Sequence, residues 1–83
     1  MKYKLSKHAL QQMERRGLSQ TTVDVVLFEP ENIIKSDDCV SVFQKIVIEG
    51  KNNYLYRVFV NMCKKPPLII TVYKTSKVRK YED

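Results

Sequence analysis

Tryptophan is absent, histidine occurs once and glycine twice in the 83 residues of this chain. Each scarcity closes a class of function. With Gly17 and Gly50 its only glycines, the chain cannot build a glycine-rich phosphate loop. One histidine and two cysteines offer too few ligands for a closed zinc site, and an HExxH motif is impossible. No apolar run approaches the roughly 20 residues of a membrane helix; the longest, around Val58 and Ile70, are of strand length. The opening Met-Lys-Tyr-Lys-Leu-Ser-Lys lacks the apolar centre of a signal peptide. The expectation is a cytoplasmic protein with no cofactor, no metal and no membrane association. Cys39 and Cys63 lie far apart without a CxxC companion, and in a reducing compartment they are expected to be free, structural thiols.

What is present fits one small globular domain. The chain is 43% hydrophobic and 29% charged, a balance that supports a core. At this length the core is modest and every member counts. The formal net charge is +6, unevenly spread. Lys2, Lys4, Lys7, Arg15 and Arg16 crowd the front, and Lys74, Lys77, Arg79 and Lys80 the back. Between Asp24 and Asp38, five acids face Lys35 alone. If the two ends meet in space, they form a basic face suited to a polyanion such as RNA; otherwise the charge is a solvated surface.

Ser6 reads as an N-cap, Lys7 to Arg16 as a helix, and Gly17 as its C-terminal stop. Ala9, Met13 and Leu10 form its apolar stripe, with His8, Gln12, Arg15 and Arg16 on the adjoining polar arc. Ser19 caps a second helix in which Val23, Val26 and Leu27 recur at helical spacing, and Pro30 ends it. The pattern then turns to strands. Ile33 and Ile34 suggest a short one, and Asp37-Asp38 a turn. Val40 to Glu49 is a strand with Val40, Val42, Ile46 and Ile48 on one face. Residues 50–53 form a hairpin turn, and Tyr54 to Met62 returns. Leu68 to Tyr73 reads as a central strand with both faces covered. The fold class is α+β: two N-terminal helices packed on a small, mainly antiparallel four-stranded sheet, in a single domain over residues 1–83.

The order of residues is more specific than that architecture. His8-Ala9, Met13 and Arg16-Gly17 are followed by helical sequence ending in Glu29-Pro30. Arg57 then stands in a strand, and Ile70-Thr71-Val72-Tyr73-Lys74-Thr75-Ser76-Lys77 with Lys80-Tyr81 closes the chain. Together these resemble the bacterial family catalogued as domain of unknown function 4258, across nearly the whole chain. That family looks related to RelE/ParE-type toxins and the wider barnase/EndoU/colicin/RelE-like nucleases. The resemblance implies a RelE-like fold, an endoribonuclease acting on RNA, including ribosome-bound mRNA, and control by a cognate antitoxin. One position departs from the pattern: the family usually carries an arginine four residues after the histidine, and here it is Gln12.

Metal-independent RNA cleavage needs a base for the ribose 2′-OH, cations for the phosphorane and an acid for the leaving oxygen. The residues expected to supply these are His8, Arg57, Lys77, Lys80 and Tyr81. Arg15, Arg16, Thr71, Lys74 and Arg79 are expected to contact RNA. Histidine is the one side-chain type that ordinarily titrates near neutrality, which suits His8 to the base, although a helix histidine with no role reads equally well. Arg57 interrupts an apolar strand, so it either binds phosphate through its fork or pairs with an acid such as Glu49. Lys77 and Lys80, three apart, share a face in a helical turn and clamp a phosphate or are merely solvated. Tyr81 stacks on a base, donates a proton or packs the terminus. Two other functions use the same features: an RNA- or protein-binding module without chemistry, and a ParE-like inhibitor of a topoisomerase.

Overall fold

The computed structural model describes residues 2–78 of the chain. The order is β1 (Lys4–Leu5), α1 (Lys7–Arg16), α2 (Gln20–Phe28), β2 (Asn32–Lys35), β3 (Val40–Glu49), β4 (Asn52–Asn61) and β5 (Leu68–Thr75). The strands make one sheet in the order β1-β5-β4-β3-β2. Neighbours are antiparallel except β1, which runs parallel to β5 with Lys4 opposite Leu68 and Leu5 opposite Ile69. The sheet therefore has five strands and is mixed, not four-stranded. The missed strand is two residues long and has no pattern of its own. It exists because Lys4 N donates to Pro67 O and Ser6 N to Ile69 O, contacts more than 60 residues away along the chain.

Both helices begin and end where local chemistry dictates. The Ser6 hydroxyl accepts from Ala9 N at 3.0 Å and donates to Ile70 O at 2.9 Å, so the cap also ties α1 to β5. Gly17 closes α1 in the left-handed region at φ 63°, where a side chain is strained. Ser19 Oγ accepts from Thr22 N to start α2, and Lys45 Nζ donates to Glu29 O at its end.

One face of the sheet carries the helices. Ala9 and Met13 of α1 and Val23, Val26 and Leu27 of α2 pack on Phe43, Tyr56, Val58, Val60, Ile69 and Val72. Leu10, grouped with Ala9 and Met13 by helical angle, is half exposed instead, because α1 buries only a narrow stripe. In β3 the four residues read onto one face do share it, and it is the face away from the helices. Val42 pairs with Phe59 and Phe43 with Val58, so Phe43 faces the helices and Val42, Ile46 and Ile48 face away. The helix-facing positions of β3 alternate less cleanly, since Ser41, Lys45 and Glu49 share that face with Phe43 and Val47. The hairpin is tighter than expected: Glu49 pairs with Asn52, leaving Gly50-Lys51 as the loop. In β5 Ile69 and Val72 are buried on the helix face, while Thr71 and Tyr73 are partly open on the other.

Cys39 and Cys63 are joined in a disulfide, with Cα atoms 5.2 Å apart. This corrects the expectation of free thiols. The β3–β4 ladder brings Val40 opposite Asn61 and lets Met62 N donate to Cys39 O, which leaves the two cysteines side by side just beyond the last pair. Sequence separation concealed a contact that register creates. No helix among the described residues is long and apolar enough to cross a membrane.

Candidate functional site

The helix-free face of the sheet meets α1 at the β5 edge. β1 pairs with β5 only as far as Ile69, so from Ile70 onward α1 borders that edge. There Gln12 and Arg16 of α1 join Arg57 and Phe59 of β4 and Thr71, Val72 and Tyr73 of β5 around a groove of about 320 Å³. Arg57 pairs with Tyr73 and Phe59 with Thr71 across the strands, so these four side chains share the helix-free face.

Each arginine is held by a hydrogen bond and an aromatic ring. Arg57 Nε donates to Gln44 Oε1 at 3.2 Å, and the guanidinium lies 5.4 Å from the centre of the Phe59 ring. Gln44 is only 5% exposed and sits opposite Arg57 in the β3–β4 ladder. Arg16 Nη1 donates to Lys74 O at 3.3 Å, with its guanidinium 5.4 Å from the Tyr73 ring centre. The Gln44 and Lys74 oxygens are neutral acceptors, so these two hydrogen bonds do not themselves cancel guanidinium charge. A planar fork held in place loses little freedom on binding phosphate.

The structure thus brings together three of the expected residues, Arg16, Arg57 and Thr71. Others lie elsewhere. His8 is exposed on α1 and does not line the groove, although Gln12, one turn further along the helix, does. Arg15 is exposed on α1 outside the groove. Lys77 is exposed beyond β5, where its backbone N–H donates to Thr75 Oγ1. Arg79, Lys80 and Tyr81 lie outside the described residues.

Lys74 points to the helix side of the sheet, opposite the groove. It forms an ion pair with Glu49, its ammonium lies 4.2 Å from the Tyr54 ring centre, and Tyr56 Oη donates to both Glu49 carboxylate oxygens. Lys74 therefore holds Glu49 below the usual carboxylate range, and Glu49 holds Lys74 above the usual lysine range. Burial raises the Tyr56 phenol. The acid that Arg57 was expected to share is taken by Lys74 because residues 56 and 57 point to opposite faces.

Phe59 in the groove and Gln44, which holds Arg57, are not singled out by the sequence, whereas Gln12 stands out there as the departure from the family's arginine. Gln44 carried a usable signal, an amide in the middle of an apolar β-run, which in a sheet must face a polar partner.

The sequence pattern described as Domain of unknown function (DUF4258) matches residues 5–74. No curated protein and no solved structure matches the chain. The matched span runs from β1 to the penultimate residue of β5 and includes every residue of the groove. The chain belongs to the DUF4258 family of domains of unknown function.

Proposed function

We propose that the α1–β5 groove binds the RNA backbone and that the protein is a toxin-like endoribonuclease, controlled by a partner antitoxin and acting in the cytoplasm. One observation carries this reading: Arg16 and Arg57, 41 positions apart in sequence, line one groove together with Thr71 and Tyr73. The likeness of the DUF4258 family to RelE/ParE-type toxins supports the same conclusion.

The reaction is displacement at phosphorus. The ribose 2′-oxygen forms a bond to phosphorus while the bond to the 5′-oxygen breaks, leaving a 2′,3′-cyclic phosphate and a 5′-hydroxyl. The 2′ proton goes to a base, for which His8 on the groove-bordering helix is the assigned residue. The 5′-oxygen receives a proton from an acid, assigned to the cationic segment containing Lys77 and Lys80. The two guanidiniums balance the charge that grows on the phosphorane oxygens. Cleavage in the cell is tested by mapping new RNA 5′ ends after brief induction of wild type and of an Arg16→Ala, Arg57→Ala variant. Recurrent new ends with wild type alone are expected. Their absence with soluble wild-type protein would sink the nuclease reading.

A second reading, an RNA-binding module without chemistry, is favoured by one feature of the site. The side chain beside Arg16 is the neutral Gln12, and His8 is not among the residues that line the groove. This reading requires salt-sensitive RNA binding with no product, unchanged by His8→Ala.

A further inference from the structure

A second concavity, of about 660 Å³, lies between β1 and α2 and shares no lining residue with the arginine groove. Lys2, Tyr3 and Lys4 form one wall, Gln20, Asp24, Leu27 and Phe28 of α2 the other, and Pro66 closes one end. Phe28 is 80% exposed, the most exposed large apolar side chain among the described residues. In a protein this small, an aromatic ring left in water beside a cleft needs a reason beyond folding, since it contributes almost nothing to the core.

The charges of the cleft are unequal. Its one carboxylate, Asp24, accepts a hydrogen bond from the Tyr3 hydroxyl, which in turn accepts from Gln20 Nε2 at 3.3 Å. The ammonium groups of Lys2 and Lys4 have no acidic partner among the described residues. An apolar surface at Leu27, Phe28 and Pro66 is therefore flanked by two uncommitted cations, on a chain whose net charge of +6 favours acidic partners at long range.

We propose that this cleft docks a segment of a partner protein in which acidic side chains flank an apolar anchor. The anchor packs on Phe28 and Pro66, and the carboxylates meet Lys2 and Lys4. Because the arginine groove is separate, docking here leaves that groove open, and the inference stands whether or not the groove cleaves RNA.

The test is titration of the isotope-labelled full chain with two blocked hexapeptides, each with two central leucines, one flanked by aspartate and glutamate and the other by lysine. Amide shifts are expected at Tyr3, Lys4, Asp24 and Phe28 with the acidic peptide only. Phe28→Ser and the Lys2→Glu, Lys4→Glu pair should each weaken binding at least tenfold, and Arg57→Ala should leave it unchanged. Phe28→Ser removes no core contact, so its thermal melt reports that folding is retained. Four results would overturn the proposal: no shifts at millimolar peptide, shifts centred on Arg16 and Arg57, equal binding of the lysine peptide, or concentration-dependent shifts around Phe28 without peptide. The last would show that a second copy of the chain covers this face.

Discussion

The Gln44 side-chain oxygen accepts the Nε–H of Arg57 at 3.2 Å, from directly across the β3–β4 ladder. A buried, neutral amide orients the guanidinium without cancelling its charge. An acid in the same place would hold Arg57 more firmly and spend the charge that a phosphate needs. Replacing Gln44 by Leu removes the orienting bond and keeps the volume close. RNA affinity is expected to fall severalfold, while the loss of one hydrogen bond costs stability about 1 kcal/mol. Filter binding and urea unfolding of the same variant check the two halves of that expectation.

Arg16 and Arg57 should account for a definable share of the salt dependence of RNA binding. Each phosphate contact on a single strand contributes about 0.7 to the slope of log affinity against log salt. Arg16→Ala and Arg57→Ala should each lower the slope by about that amount. Lys74→Ala should leave it nearly unchanged, since Lys74 is paired with Glu49 on the other face. A slope that falls with Lys74→Ala as much as with Arg57→Ala would place the RNA on the wrong side of the sheet.

The Cys39–Cys63 bond closes a loop with a sequence separation of 24. A cross-link of that span stabilises by about 3 kcal/mol through the unfolded chain's lost freedom. The β3–β4 hairpin lies inside the loop, so the fold itself should survive reduction. Guanidinium unfolding with and without reductant should show a lower midpoint for the reduced protein. A Cys39→Ser, Cys63→Ser variant should match the reduced form.

Acid and alkaline unfolding should share a cause at the hairpin end. Lys74 depresses the Glu49 pKa, so this contribution is fully present above the ordinary glutamate range and is lost as the pH falls through the depressed value. Glu49 raises the Lys74 pKa, so that contribution is fully present below the ordinary lysine range and is lost as the pH rises through the raised value. Glu49→Gln should flatten both arms in a plot of urea midpoint against pH. Some acid sensitivity should remain, because the Val40 and Cys39 amides depress Asp37 in the same direction. A variant whose alkaline arm is unchanged would break the assigned pairing.

By itself the sequence determined what short-range chemistry controls. Ser6, Gly17 and Ser19 mark helix ends because a cap acts within four residues, and Pro30 stops α2 by its own ring. The β3–β4 hairpin follows from alternating β-formers around Gly50. Arg57 could be singled out for a similarly local reason: a cation inside an apolar strand is costly without a partner or a polar cleft. Only the tertiary structure decided which partners those residues meet. Strand β1, the Cys39–Cys63 bond and the Lys74–Glu49 pair all join residues brought together by sheet register, and a shift of one residue reverses the face of each side chain. The same rule separates Arg57 from Glu49, gives it Gln44 instead, and sets it across one groove from Arg16.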